Sequence, residues 1–174
     1  MTFQTTFQIN EETQSYPEKG RVNIGAVSVV FGKNANRTVA LTTTDLTLDP
    51  GTFTALIGPS GCGKSTLLNA VAGFIEPTDG KIHVDSRQVL GPHPSVGVIF
   101  QSFALFPWFT ARGNVEFALK RFGLNKEERR NRAIAALEEV ELVDHASKFP
   151  GQLSGGMKQR VAIARTLAAD PDVL

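Results

Sequence analysis

The chain has 174 residues, 41% hydrophobic and 20% charged, with a formal net charge of +1; this excludes a disordered chain and fits one core with room for a small second lobe. So balanced a charge gives no electrostatic ground for nucleic acid or an anionic membrane surface as the main partner. No apolar run approaches the roughly 20 residues of a membrane helix, and the polar start, with Gln4, Gln8, Glu11 and Glu12, is unlike a signal peptide, so the expectation is a chain that stays in the cytosol.

Residues 1–20 are polar and aperiodic and contain Tyr16-Pro17, which predicts a flexible extension. Apolar and β-branched residues cluster over residues 22–31 and 39–48, with Asn34, Ala35 and Asn36 as a turn between them, predicting an antiparallel β portion. Residues 52–57 predict a short buried strand. It runs into Gly58, Pro59, Ser60, Gly61, Cys62, Gly63, Lys64, Ser65 and Thr66, which spell G-x-x-x-x-G-K-[ST]. A helix is expected over residues 65–72, with Leu67, Leu68 and Val71 at helical spacing and Gly73 as its stop.

The chemistry of that loop is anion binding. Its glycines let the backbone turn amides inward, and a helix N-terminus adds partial positive charge at the same point. Lys64 is then placed to reach β- and γ-phosphates, the Ser65 hydroxyl to ligate Mg²⁺, and Thr66 to touch an α-phosphate. The bland alternative, a glycine turn without function, is disfavoured by the order strand, loop, helix. The loop predicts a bound nucleoside triphosphate, but not its use. Cys62, the lone cysteine, reads as a small residue tolerated beside phosphates rather than as a catalytic thiol. His83, His93 and His145 show no metal-ligand spacing.

Further along, strands are expected at residues 81–84 and 95–100, on either side of Pro92-His93-Pro94. Residues 103–109 form an apolar loop, and residues 112–122 read as a helix. Asn125 is suited to cap the next helix, Glu127 and Glu128 to its first turn, and Ile134, Leu137 and Val140 to its buried face. The mixed-sign run over residues 126–130 reads as the solvated side of that helix rather than as a nucleic-acid patch. Finally Leu153, Ser154, Gly155, Gly156 and Met157 open an alanine-rich helix, where Ser154 and the amides of the two glycines make a second N-terminal anion site. For Arg160 and Arg165 two readings stand side by side, solvated helix charges or charges paired across the cassette.

With both motifs on one chain, residues 24–174 resemble the ATP-binding-cassette family. The resemblance implies an α/β fold: a P-loop NTPase, RecA-like core with an antiparallel β portion and a helical subdomain, the C-terminal part of the sheet being absent. The implied domains are an extension at 1–20, a nucleotide-binding core at 21–101, a helical subdomain at 102–152, and the signature helix with the start of the Walker-B strand at 153–174. The implied cofactors are ATP and Mg²⁺. Residues 58–66 hold the phosphates, Phe31 stacks on adenine, and Ser154, Gly155 and Gly156 cap the γ-phosphate held by a second cassette, so that a homodimer sandwiches two ATP molecules. Gln101 with Lys64 belongs to the catalytic set, and Gln101 with Ser65 to the metal site.

Leu105-Phe106-Pro107-Trp108 resembles the nitrate, sulfonate and taurine importer branch. The implied activity is ATP hydrolysis coupled to uptake of such a small anion. It takes place peripherally, at the cytoplasmic face of the plasma membrane. The implied partners are integral membrane permease subunits and, indirectly, a solute-binding protein, with no nucleic acid. Two alternatives stay open: a soluble cassette protein acting on nucleic acid or ribosomes, and a truncated, non-hydrolysing nucleotide-binding protein. The chain departs from the family after Asp170-Pro171-Asp172-Val173-Leu174, before the Walker-B aspartate and the following glutamate, the D-loop and the switch histidine. The expectation is a fragment of a longer reading frame, with hydrolysis slowed by orders of magnitude without those groups.

Overall fold

The computed structural model describes residues 19–32 and 36–174. The extension expected at 1–20 lies almost wholly outside the described residues, as do two of the three positions of the turn expected at 34–36. The described chain divides into two compact units, one reaching Val96 and including Val173, the other Gly97–Asp172 with Leu174.

The first unit is built on a four-stranded antiparallel sheet in the order β2-β1-β3-β4, from β1 (Val22–Phe31), β2 (Thr38–Leu48), β3 (Asp79–Val84) and β4 (Arg87–Gln88). In β1 the buried residues Val22, Ile24, Val27 and Val29 are at most 4% exposed. Their spacing of two slips by one between Ile24 and Val27, where both ladders shift register. Ala26 adopts φ 48° there and donates its N–H to the Asp45 carboxylate at 2.7 Å. This bulge keeps the apolar residues on either side of it facing the core. Between β3 and β4, Asp85 at φ 55° makes the tight turn, and its carboxylate accepts the N–H groups of Gly20 and Arg21 at 2.9 and 3.0 Å.

Helix α1 (Lys64–Val71) buries Leu67, Ala70 and Val71 in the core of this unit. Leu68, read from its spacing as part of that stripe, is 58% exposed. One residue is about 100° of helical turn, so 67 and 71 share a face that 68 leaves. At the end of α1, Gly73 takes φ 78°, and any side chain on it would collide with the Gly91 carbonyl, so glycine is required at this stop.

Two expected strands do not form. Residues 52–57 carry no strand, and Phe53 and Ile57 are 79% and 61% exposed. Residues 95–100 contribute only one parallel bridge, Val96 to Val173, with the Val173 N–H donating to the Ser95 carbonyl at 3.0 Å. The reason is common to both: apolar composition is necessary for a central strand, but the strand itself exists only as a hydrogen-bonded ladder. Among the described residues neither segment has neighbours that complete one.

The second unit is helical. Helix α2 (Ala111–Leu119) begins on Thr110, whose hydroxyl accepts the Gly113 N–H at 3.1 Å, and continues as a single 3₁₀ turn over Lys120–Phe122 that Gly123 closes at φ 67°. The helix expected to run to 122 thus stops short and tightens. Helix α3 (Lys126–Glu139) carries a complete capping box. Asn125 accepts from the N–H groups of Glu127 and Glu128 at 3.0 and 2.9 Å, and Glu128 accepts the Asn125 N–H at 3.0 Å. Helix α4 spans Gly155–Leu167. Where these helices meet, the buried residues are largely small, with Ala111, Ala133, Ala136 and Ala164 around Val115, Leu137 and Val161, which lets the helix backbones approach closely. No helix among the described residues is long and apolar enough to cross a membrane.

The burial pattern separates two leucines that look alike on the chain. Leu137→Ala, at 0% exposure, is expected to lower unfolding free energy by about 2–5 kcal/mol. Leu68→Ala should change it by only about 0.5 kcal/mol, because the side chain is mostly in water already. Chemical denaturation of the two variants checks this, and equal losses would contradict the packing described. Asn125→Ala should cost about 1 kcal/mol through loss of the capping box, measured the same way.

Candidate functional site

The four α-helices of the described residues do not begin alike. The first amides of α2, α3 and α4 are met by the side chains of Thr110, Asn125 and Ser154. Helix α1 has Gly63 as its N-cap, no side-chain cap and no acidic residue in its first turn. A helix start carries orphan N–H donors and partial positive charge. At α1 no side chain among the described residues receives them, and the loop ahead of it, from Gly58 to Gly61, is exposed.

The loop is held open by its backbone. Gly63 sits at φ 97°, and a Cβ there would lie 2.7 Å from the Ala40 carbonyl oxygen of β2 and 3.2 Å from Leu41 Cδ1. The last turn of the loop is therefore pressed against the sheet, and only glycine allows it. Lys64 folds back across the loop, its Nζ donating to the carbonyls of Gly58 and Pro59, both at 2.7 Å, with Cys62 Sγ at 3.5 Å. Those acceptors are neutral. A phosphate oxygen would replace them with a charge-assisted bond about twice as strong, so the lysine is already positioned over the loop with its charge only partly used. Ser65 is exposed and Thr66 half-buried in the first turn of α1.

Phe31 ends β1 and pairs in register with Thr38, two residues before Ala40, the residue against which Gly63 packs. That spacing is about 7 Å along a strand, so Phe31 and the point where Gly63 meets the sheet lie at the same end of the β1–β2 pair. The ring is 47% exposed, so it lies outside the core and has a face available for stacking.

Gln101, Ser154, Gly155 and Gly156 belong to the second unit. Gln101 is exposed in a turn, and two consecutive non-glycine residues follow shortly in the left-handed region, Phe103 at φ 62° and Ala104 at φ 47°. Ser154 caps α4, its hydroxyl accepting the Met157 N–H at 3.3 Å. Gly155 and Gly156 are exposed helical residues with ordinary φ, and a Cβ on either would meet nothing within 4 Å. Glycine in a helix costs about 1 kcal/mol relative to alanine. Nothing in the packing of the described residues asks for it at these two positions.

The two arginines of α4 differ: Arg160 forms an ion pair, with Glu141, as the second reading has it, whereas Arg165 follows neither reading. Arg160 donates to the Val140 carbonyl at 3.1 Å, with the Glu141 carboxylate at 3.6 Å, while Arg165 donates to the carbonyls of Phe103, at 3.1 Å, and Ala104. Burial lowers the pKa of the Arg165 guanidinium from its usual value through desolvation. The sequence reading also passed over Asn114. It is fully buried in α2, accepts the Phe106 N–H at 2.8 Å, and donates to the carbonyls of Phe106, Phe109 and Thr110 at 3.2, 3.2 and 3.0 Å. The available signal was an amide residue on the same helical stripe as Ala111, Val115 and Leu119. Its bonds fix an aromatic group in which Phe106 lies 4.6 Å from Phe117 and 5.6 Å from Trp108, centroid to centroid. Trp108 is 66% exposed.

Comparison with known proteins identifies the family and the fold. The family model described as ABC transporter matches residues 41–174. The nitrate import ATP-binding protein NrtD of Synechocystis sp. is 47% identical over 145 residues, covering 83% of this chain and 54% of that protein. The taurine import ATP-binding protein TauB of Pseudomonas aeruginosa is 44% identical over 154 residues, covering 88% of this chain and 59% of that protein. The chain thus spans about half the length of the curated relatives it matches. Among solved structures, a dimeric post-hydrolysis state of the ATP-binding cassette MJ0796 bound to ADP and Pi matches with a TM-score of 0.78 at 36% identity, covering 86% of this chain and 70% of that one. The mixed α/β fold is therefore that of a P-loop NTPase cassette, and the chain belongs to the ABC transporter family.

Proposed function

We propose that this chain is the nucleotide-binding part of an ATP-hydrolysing subunit that drives uptake of a small anion such as nitrate, sulfonate or taurine. The observation that carries the reading is the start of α1, the one α-helix among the described residues whose first amides meet no side-chain cap. Those donors and Lys64 fit a polyphosphate, the ligand that brings the negative charge the chain itself withholds from this point. Phe31, at the same end of the β1–β2 pair, would receive the base. Ser65 in the first unit and Gln101 in the second each expose an oxygen-bearing side chain, the donor type that a hard cation takes. When bound, Mg²⁺ neutralises charge on the phosphates. Lys64 and Gln101 are the proposed catalytic residues present in this chain.

Gly155 and Gly156 support a second copy as partner. Their empty surroundings are what a phosphate held by another cassette would need in order to approach the amides of α4 closely. In this reading Ser154, Gly155 and Gly156 close over the nucleotide of the partner, and the homodimer forms around two ATP molecules. The exposed Trp108 and its aromatic neighbours support a membrane-embedded permease as the other partner, with the subunit peripheral at the cytoplasmic face. The names of the relatives, which import nitrate or taurine, support a small anionic or zwitterionic solute, delivered by a solute-binding protein.

Removing the lysine tests the phosphate site. Lys64→Ala should weaken binding of a fluorescent ATP analogue by about 100-fold, the loss that follows from deleting one partner of a close charge pair. Unchanged affinity would overturn the assignment. The double substitution Gly155→Ala with Gly156→Ala separates fold from function. It should raise thermal stability, by about 0.5–1 kcal/mol per site, and at the same time weaken ATP-dependent dimerisation measured by analytical ultracentrifugation. A variant that is stabilised and still dimerises normally would contradict the proposed role of the two glycines.

A further inference from the structure

The turn that carries Gln101 is tied to α4 by a side chain with no other evident task. Phe103 and Ala104 both occupy the left-handed region without being glycine, a conformation that persists only where the surroundings impose it. Both of their carbonyls accept from the guanidinium of Arg165, which lies in the last turn of α4, the helix that starts at Ser154. The planar fork of an arginine suits two neighbouring carbonyls, whereas a lysine offers one point of charge. From the other side, Asn114 holds the Phe106, Phe109 and Thr110 carbonyls and the Phe106 N–H. The segment between Gln101 and α2 is thus fastened at two places, to α4 through Arg165 and to α2 through Asn114, all within the second unit.

We infer that Arg165 is a positioning residue: it holds the Gln101 turn to the signature helix, so that Gln101, the aromatic group beyond it and Ser154 move as one body. This rests on the proposed role of Gln101 at the nucleotide. The inference assigns Arg165 neither a contact with ATP nor a salt bridge between cassettes. It acts through the two carbonyls and through the backbone conformation they impose.

Hydrogen exchange followed by mass spectrometry tests it on the whole chain, with and without Mg²⁺ and a non-hydrolysable ATP analogue. In Arg165→Met, which keeps the aliphatic stem and removes the donors, peptides spanning residues 101–106 should exchange about 10-fold faster, as expected for lost bonds to a charged donor. Peptides over residues 58–66 should be unaffected. On adding the analogue, the wild type should gain protection over both segments, and Arg165→Met only over 58–66. Arg165→Lys should fall between the two, since one of two carbonyls keeps a donor, and it decides the matter if Arg165→Met fails to fold. Trp108, the one tryptophan of the chain, reports the far end of the segment, and its acrylamide quenching should rise in Asn114→Ala more than in Arg165→Met. Wild-type exchange over 101–106 in both Arg165 variants, or nucleotide protection of that segment retained in them, overturns the positioning role. Absence of analogue-induced protection at 58–66 in the wild type would instead overturn the nucleotide-site reading on which it rests.

Discussion

The first turn of α1 presents backbone donors and partial positive charge that no side chain among the described residues receives. Each of the other three α-helices of the described residues spends a threonine, an asparagine or a serine on that same need. Leaving it unmet at α1 is unfavourable for the isolated chain, because capping side chains typically contribute about 1 kcal/mol. Much else in the first unit follows from keeping this helix start open and aimed. Gly63 takes a left-handed conformation to press the loop against β2, and Lys64 lies over the loop on neutral carbonyls that a phosphate can displace. The buried stripe of Leu67, Ala70 and Val71 then anchors the helix, so that its direction is set by the core rather than by the ligand.

The second unit meets a different demand. A loop rich in aromatic residues, with Trp108 largely in solvent, has to be rigid without a core of its own. The structure supplies rigidity through polar side chains directed at backbone. Asn114 directs its amide oxygen and NH₂ group at the backbone of residues 106, 109 and 110, and Arg165 spends its fork on residues 103 and 104. Buried polar groups used this way are costly unless fully satisfied and specific when they are. Gly155 and Gly156 are the counterexample in the same unit, two helical glycines that the packing does not require. The surplus makes sense if something outside the chain must approach them.

Local signals made much of this legible in the residues alone. The loop over 58–66, the stop at Gly73, the capping box at Asn125 and Glu128, the serine cap of α4 and the paired strands β1 and β2 are each written within a few neighbouring positions, and each forms as the spacing implies. The misreadings concern non-local partners. Residues 52–57 and 95–100 have strand composition, but a strand needs a ladder, and the identity of its neighbours is not contained in a hexapeptide. Leu68 shares residue type and approximate spacing with Leu67, yet one step around the helix moves it from core to solvent. Arg165 and Asn114 differ in this respect: Asn114 bonds residues only 4–8 positions away and stands out as an amide on a buried helical stripe, whereas nothing near Arg165 points to its partners. Those partners are backbone carbonyls, which carry no sequence signature, and they lie 61 and 62 positions away.

The most direct test of the open helix start is amide NMR of the chain during nucleotide titration. If the donors of α1 await a polyphosphate, ATP and ADP should shift the backbone amide resonances of Gly61, Gly63, Lys64, Ser65 and Thr66 strongly and saturably. Adenosine should leave them in place, while the amides at the capped starts of α2 and α3 should be insensitive to all three. Shifts absent from residues 61–66, or produced equally by adenosine, would contradict the claim that this loop and helix start form a phosphate site.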